Sequence, residues 1–436
     1  MSEPSDSRAT LAIMVGGGPA PGINSVIAAA TIEAINSGLR VIGLRDGFRW
    51  LVEGDTSHAL ELRIADVSRI HLTGGSILRT SRTNPARNET SLRQVVEALE
   101  AMGVRYLICI GGDDTTYGAT RIAERCQGRI GVVTVPKTID NDLPLPENAP
   151  TFGFETARSV GSGIIEALME DARTTGRWYL AVSMGRKSGA LALAMGKAAG
   201  ATLAIIPEEF GGSAIDLELV VDTICGAIIK RKSWGRDDGV ALVAEGLAEH
   251  IAPGQLSLAE GSERDPYGHL HLADIPLGAL LREKITATLE ELGLNLTVVA
   301  KDIGYEMRCA KPVPFDVEYT RTLGYGAVRY LLAGGSGALI AITGGRVTPV
   351  SLAELTDPQS GRVRVRMVDV TTESYQVARS YMIRLEPEDF QEPTLTQLAS
   401  QTTLSAQAFK ERFWPVVMAT IPSRSAVGEA VDNHAD

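Results

Sequence analysis

The run Leu11-Ala12-Ile13-Met14-Val15, followed by Gly16-Gly17-Gly18-Pro19-Ala20-Pro21-Gly22, sets the frame for the whole chain. Five consecutive apolar residues read as a buried strand, and a turn of glycines and prolines ends it. Residues 22–37 then carry Ile23, Ile27 and Ile35 on one helical face, and Gly38 stops the helix. Val41–Leu44 is the next strand-like run. Strand, helix and strand in this order make a βαβ unit with a parallel pair. A glycine turn between strand and helix lets backbone N–H groups approach an anion at the helix N-terminus. Two nucleotide fingerprints fail here. G-x-G-x-x-G counted from Gly16 needs glycine where Pro21 stands, and the lysine of Gly196-Lys197 is followed by Ala198 rather than Ser or Thr.

The same alternation continues along the chain. Apolar runs at Tyr106–Ile110, Ile130–Val135, Tyr179–Ser183, Thr202–Ile206, Val240–Val243, Leu296–Ala300 and Ala338–Ile342 read as strands. Helical segments include one near Thr116–Cys126 and one at Pro276–Leu292. In the second, Leu277, Leu280, Leu281, Ile285, Leu289 and Leu292 form an apolar stripe. This predicts an α/β architecture with covered parallel sheets. Loops at Asn141–Pro150 and near Arg308–Pro314 mark candidate boundaries. The alternating Arg362-Val-Arg-Val-Arg-Met-Val368 reads as a strand with one wet face. The stretch from about Ser400 reads as a polar helix that frays.

Composition narrows the function. In 436 residues, 42 Lys and Arg stand against 53 Asp and Glu, a net charge of −11. Such an acidic chain is a poor candidate for nucleic acid or an anionic membrane. Hydrophobic residues at 44% suit a packed core. Glycine takes 45 positions, above the ordinary share of about 7%. The polar start of the chain, the lack of a membrane-length apolar run and four cysteines without a C-x-x-C pair point to a cytoplasmic protein with buried free thiols. His269 and His271, after Asp265-Pro266, lack further ligands at zinc-site spacing and read as a solvated loop.

Two more turns stand at strand ends. Gly111-Gly112-Asp113-Asp114-Thr115 follows one strand, and Pro136-Lys137-Thr138-Ile139-Asp140-Asn141-Asp142 follows the next. In open parallel sheets, ligands bind outside the carboxyl ends of strands. Any one of these turns alone reads equally as a solvated loop, but three at one edge are hard to explain that way. Four carboxylates so placed repel one another unless a cation sits among them. Mg²⁺ suits such a place, with few protein carboxylates and the rest of its shell from water and phosphate. An aspartate beside a hydroxyl can act as general base. Lys137 adds positive charge where a transferring phosphoryl group needs it. Arg79 and Arg82, after Gly74-Gly75, and Arg186, after Met184-Gly185, fit the same chemistry. The residues alone therefore suggest Mg²⁺-dependent phosphoryl transfer to a small phosphorylated or polyhydroxylated acceptor.

With these motifs the chain resembles the phosphofructokinase family. The resemblance rests on Gly-Gly-x-x-Ala-Pro-Gly ending at Gly22, Gly-Gly-Asp at 111–113, Thr-Ile-Asp-Asn-Asp at 138–142, Met-Gly-Arg at 184–186 and Pro-Val-Pro-Phe-Asp at 312–316. It implies two Rossmann-like three-layer α/β/α domains with mainly parallel sheets. Residues 1–152 plus 308–360 would form the donor domain and 153–307 the fructose 6-phosphate domain. Residues 361–436 would pack back on the core. Asp140 would take the proton from the sugar 1-hydroxyl, Asp113 would hold Mg²⁺, and Gly17 and Arg82 would meet the phosphoryl donor. Thr138, Ile139, Asp140, Met184, Gly185, Arg186 and Glu245 would contact fructose 6-phosphate, as would the segment Tyr305, Glu306, Met307 and Arg308. Arg177 would reach the sugar phosphate of a neighbouring subunit, which implies a homodimer or homotetramer.

The resemblance also speaks to the donor. ATP-using relatives usually carry glycine where this chain has Asp114 and Lys137. A carboxylate at 114 would face the α-phosphate of ATP, while Lys137 fills that volume and neutralises pyrophosphate. The pair therefore implies the pyrophosphate-dependent branch, a reading compatible with polyphosphate as donor or sedoheptulose 7-phosphate as acceptor but not deciding either. A lipid- or NAD-kinase-like protein could share the Gly-Gly-Asp turn but leaves Met184–Arg186 and Tyr305–Arg308 unexplained. Departures from the family pattern are Tyr305 for histidine, Val299 for arginine (with Lys301 as a replacement charge) and Arg79 for glycine. Ile27 and Thr31 stand where allosteric relatives carry arginines, which implies a non-allosteric enzyme.

Overall fold

The computed structural model describes residues 8–211, 214–252, 255, 275–357, 359 and 362–420. His269 and His271 lie outside the described residues. Two compact units divide them. Unit one takes 8–157 and 305–366, and unit two takes 158–304 and 367–420.

Unit one is built on a seven-stranded sheet. Its strands are β1 (Thr10–Val15), β2 (Arg40–Leu44), β3 (Ala59–Glu61), β4 (Val104–Gly111), β5 (Gly131–Pro136), β10 (Ala338–Thr343) and β11 (Arg346–Ser351), in the order β11-β10-β5-β4-β1-β2-β3. The five inner strands run parallel, and β3 and β11 are antiparallel edges. Successive residues of a strand point to opposite faces, and β1 buries both sets. Leu11, Ile13 and Val15 pack with Ile23, Val26 and Ile27 of helix Ile23–Asn36 and with Leu323, Ala327 and Leu331 of helix Pro314–Leu332. Ala12 and Met14 pack on the other side with Leu92, Val95 and Leu99 of helix Glu89–Ala101 and with Ala119 and Ile122 of helix Asp113–Cys126. Two covered faces make three layers and explain why β1 is an unbroken apolar run.

Unit two has four parallel strands: β6 (Trp178–Ser183), β7 (Leu203–Ile205), β8 (Gly239–Ala244) and β9 (Val298–Ile303), ordered β7-β8-β6-β9. Trp178, Leu180 and Val182 enter a core with Val221, Ile224 and Ile228 of helix Leu217–Ser233 and with Leu281, Ile285 and Leu289 of helix Leu277–Glu291.

Three expectations need correction. Residues 362–368 form no ladder; only Val363 bridges, to Thr356. Their alternate N–H groups bond to separate acceptors instead of one strand: Arg364 to the Leu355 carbonyl, Arg366 to the Asp142 carbonyl and Val368 to the Glu208 carboxylate. The helix Ala406–Thr420 is amphipathic rather than polar, with Phe409 and Phe413 fully buried in the unit-two core. Among the cysteines, Cys109, Cys126 and Cys225 are buried free thiols, whereas Cys309 is exposed. No helix among the described residues is long and apolar enough to cross a membrane.

Candidate active site

In unit one, register brings three strand ends level. Val15 lies opposite Ile110, and Gly111 opposite Pro136. The Gly16 N–H donates to the Ile110 carbonyl at 2.9 Å, and the Lys137 N–H to the Gly111 carbonyl at 2.9 Å. The turn after β1, the start of helix Asp113–Cys126 and the segment after β5 therefore share one edge. Thr115 explains two of the glycines. A Cβ on Gly16 would lie 2.3 Å from its Oγ1, and one on Gly111 would lie 2.2 Å from its side chain. Thr115 is the wedge between the turns, and only glycine leaves it room. Gly17 has φ +79°, the left-handed region that glycine enters without strain.

Lys137 lies across this turn. Its side chain is buried and its Nζ donates to the Gly18 carbonyl. A Cβ on Gly17 would sit 3.3 Å from that nitrogen. Burial pushes the Lys137 ammonium down to about 8, and neighbouring Arg82 pushes the same way, while Asp140, Asp113 and Asp142 pull it back up. These charges thus gather around one ammonium group. Asp113 and Asp114 open their helix half-buried, in its first turn, where backbone N–H groups favour negative charge. Arg82 is exposed. On Gly18, a Cβ would lie 3.3 Å from Nη1 of Arg308. The Arg308 guanidinium stacks 4.4 Å from the centre of the Tyr305 ring, and its Nε is buried with no hydrogen-bond partner among the described residues.

No group of three or more His, Cys, Asp or Glu side chains forms a metal cage among the described residues. A carboxylate pair at a helix start, beside a glycine turn, fits instead a hard cation that takes few protein ligands and completes its shell with water and phosphate oxygens.

The segment after Lys137 is irregular and held by side chains. The Asp140 N–H donates to Thr138 Oγ1 at 3.1 Å, and Thr151 Oγ1 donates to the Thr138 carbonyl at 2.7 Å. Asn141 adopts φ +57°, and its Oδ1 accepts from the Thr151 N–H at 3.0 Å. Ile139 is buried, and Thr138 and Asp140 are half-buried.

Unit two repeats the level strand ends. Ser183 lies opposite Ala244 on one side and Ile303 on the other. The Met184 N–H donates to the Ile303 carbonyl and the Glu245 N–H to the Ser183 carbonyl, both at 2.9 Å. Met184, Arg186 and Glu245 are half-buried at this edge. Two glycines let the turns close up. A Cβ on Gly246 would be 2.8 Å from the Arg186 carbonyl, and one on Gly304 would be 2.8 Å from Met184 Cε. Gly185 itself sits at φ +149°. Arg177 is not brought to this edge. It precedes Trp178, the first residue of β6, and so lies at the amino end, about 20 Å of strand away from Met184. Its Nε is buried without a hydrogen-bond partner among the described residues.

The phosphofructokinase profile matches residues 10–331. A protein of Thermotoga maritima named pyrophosphate–fructose 6-phosphate 1-phosphotransferase is 54% identical over 93% of this chain and 98% of its own. The chain belongs to the phosphofructokinase family. It is a phosphotransferase. A relative of the same name from Naegleria fowleri is 48% identical over 93% of this chain and 95% of its own. The crystal structure titled as a pyrophosphate-dependent phosphofructokinase of Nitrosospira multiformis has the same fold. Its TM-score is 0.66, with 18% identity over 85% of this chain and 90% of that one. Two yeast phosphofructokinases of this fold are longer, and the chain spans 37% and 49% of their lengths.

Within this phosphofructokinase, the departures take on physical meaning. Arg79 has φ +56°, a conformation that glycine enters without strain, and its exposed guanidinium lies 3.9 Å from the half-buried Asp46 carboxylate. Val299 and Lys301 share one face of β9, the lysine exposed and the valine half-buried. Ile27 and Thr31 are fully buried. The sequence reading missed Thr115 and Arg366. Thr115 lies four residues after Gly111, in a motif whose aspartates carry the visible chemistry. Arg366 belongs to the alternating stretch 362–368, whose pattern predicts a strand. Its Nε donates to the Asn141 carbonyl at 3.0 Å, its Nη1 to the Ala149 carbonyl at 2.9 Å and its Nη2 to Asn141 Oδ1.

Proposed function

We propose that this phosphofructokinase transfers a phosphoryl group from pyrophosphate to the 1-hydroxyl of fructose 6-phosphate, giving fructose 1,6-bisphosphate and phosphate. One observation carries the choice of donor: the buried ammonium of Lys137 over the Gly17-Gly18 turn. A lysine there occupies the space a nucleotide's α-phosphate would need, and it supplies a charge that pyrophosphate needs. Asp114, in the first turn of helix Asp113–Cys126, would set a carboxylate against the α-phosphate of ATP. The names of the two most similar relatives cited above support the reading. ATP is the second reading, because the same turn serves ATP in other branches.

In the proposed reaction Asp140 accepts the proton of the 1-hydroxyl. The freed oxygen attacks the nearer phosphorus, the bridging P–O bond breaks, and phosphate leaves with the electron pair. Lys137, Gly17 and Arg82 hold and neutralise the donor, and Arg186 offsets charge on the transferring group. Asp113 would hold Mg²⁺, which supplies Lewis-acid stabilisation to phosphoryl oxygens when bound. Thr138, Ile139, Met184, Gly185, Glu245, Tyr305, Glu306, Met307 and Arg308 place the sugar phosphate. In this reading the reaction runs in both directions, as the resemblance to the pyrophosphate-dependent branch implies. Arg177, at the far end of β6, would serve the sugar phosphate of another subunit, which makes the active form a homodimer or homotetramer in the cytoplasm. The buried Ile27 and Thr31 offer no charge for a nucleotide effector.

A donor assay tests this. Purified protein with fructose 6-phosphate and Mg²⁺ is expected to turn over with pyrophosphate and not with ATP, and fructose 1,6-bisphosphate with phosphate is expected to run the reverse. Turnover with ATP alone would sink the donor assignment.

A further inference from the structure

We infer that Arg366 is a positioning residue for the transfer step: it clamps the turn that follows Asp140 and so fixes where that carboxylate points. The inference rests on Asp140 being the base, as proposed above.

Between β5 and helix Phe154–Thr175 the chain runs from 137 to 153 with no strand ladder and only one 3₁₀ turn, Pro146–Asn148. A base on such a segment needs other restraints, because a general base works only within hydrogen-bond reach of its proton. Thr151 supplies one through its bonds to Thr138 and Asn141. Arg366 supplies several more. Its guanidinium grips the Asn141 carbonyl, the Asn141 side-chain oxygen and the Ala149 carbonyl, and its own backbone N–H donates to the Asp142 carbonyl at 2.7 Å. Asn141 sits in the left-handed region, which asparagine enters more readily than most residues because its side chain bonds locally. The turn next to the base is thus a local asparagine turn tied to an arginine far along the chain. Only a planar fork reaches three oxygens in this way; a lysine is a point donor and cannot.

The variants Arg366→Ala and Arg366→Lys test the clamp. For both, kcat with pyrophosphate and fructose 6-phosphate is expected to fall about 100-fold, the cost of a misplacement on the order of 1 Å. Both KM values are expected to stay within about threefold, because apart from Thr138, Ile139 and Asp140 the groups proposed to bind the two substrates lie outside the clamped segment. Methylguanidine should restore part of the Arg366→Ala rate. In hydrogen exchange, amides of 138–151 should open about tenfold faster in Arg366→Ala, while those of β6 and β8 stay as in wild type. A kcat for Arg366→Lys within twofold of wild type, or equal losses in kcat and binding, overturns the inference. Absence of turnover by the wild type overturns the proposed reaction instead, and exchange then decides the clamp alone: unchanged protection of 138–151 overturns it, and accelerated exchange retains it.

Discussion

Both sheets bring parallel strands to a level edge, yet the two edges are filled by different means. In unit one a charged side chain occupies the edge. Lys137 is buried across the glycine turn, with Asp113, Asp140, Asp142 and Arg82 acting on it. In unit two closely packed backbone shapes the edge, with Arg186 and Glu245 half-buried beside it. Gly246 and Gly304 give up their side chains so that the Met184–Arg186 turn can settle onto them. The first arrangement stores an uncomfortable charge until an anion arrives, as expected where charge develops in a transition state. The second fixes shape, as expected where a sugar must be recognised. The comparison sets donor chemistry beside acceptor fit; the base Asp140 serves the transfer itself, and the variants at Lys137 and Gly246 should each move one side and spare the other.

The largest effect belongs to the base. Asp140→Ser should lower kcat by about 10³-fold, within the range for a lost general base, with KM for both substrates little changed. Steady-state kinetics checks this, and a near-normal kcat would remove Asp140 from the chemistry. Next comes the charge itself. Lys137→Met keeps the volume and removes the ammonium. It should cut kcat/KM for pyrophosphate about 10²-fold and leave KM for fructose 6-phosphate within a few-fold. An equal loss for both substrates would break the separation of the two edges.

The parts of the fold legible in sequence were those where physics acts on consecutive residues. Strands buried on both faces are unbroken apolar runs, so Leu11–Val15 and Tyr106–Ile110 announce β1 and β4. The antiparallel edges β3 and β11 do not, because an edge strand is half wet; Arg346–Ser351 is exposed or half-buried throughout and contains Pro349. The turns at Gly16–Gly18 and Gly111–Asp114 stand out by composition, but what demands the glycines is Thr115, a contact that spacing cannot show. Arg366 and Asn141 meet across 225 positions, and no periodicity carries that pairing. Alternation at 362–368 misled because it states only that one face is wet, not that a partner strand exists.

A smaller change probes shape in unit two. Gly246 has an ordinary backbone conformation as the residue before a short helix, φ −58°, so alanine there is unstrained and acts only through its Cβ. That atom would press on the Arg186 and Gly185 carbonyls at 2.8 and 3.1 Å. Gly246→Ala should shift the turn, raise KM for fructose 6-phosphate about tenfold and cost about 1–3 kcal/mol of stability, with KM for pyrophosphate unchanged. Thermal melts and initial rates read both, and an unaltered sugar KM would show that this edge tolerates displacement.

The mildest test uses pH to address Lys137 without mutation. Burial brings its pKa down to about 8, below the ordinary lysine value near 10.4. Below pH 8 the ammonium is charged and ready for the donor. As pH rises through 8 the charge is lost in the free enzyme, so KM for pyrophosphate should climb, by less than about tenfold per pH unit for one titrating group. Bound pyrophosphate brings negative charge to the same nitrogen and raises its pKa, so binding near pH 8.5 should take up a proton. Calorimetry in two buffers of different ionisation enthalpy measures that uptake. Fructose 6-phosphate binding offers the internal control, because Lys137 is assigned to the donor and not to the sugar. Lys137→Met should abolish the proton uptake and flatten the pyrophosphate profile while leaving the sugar profile as it was. An unchanged profile in that variant would assign the titration to another group and end the claim that unit one's edge is tuned by a buried charge.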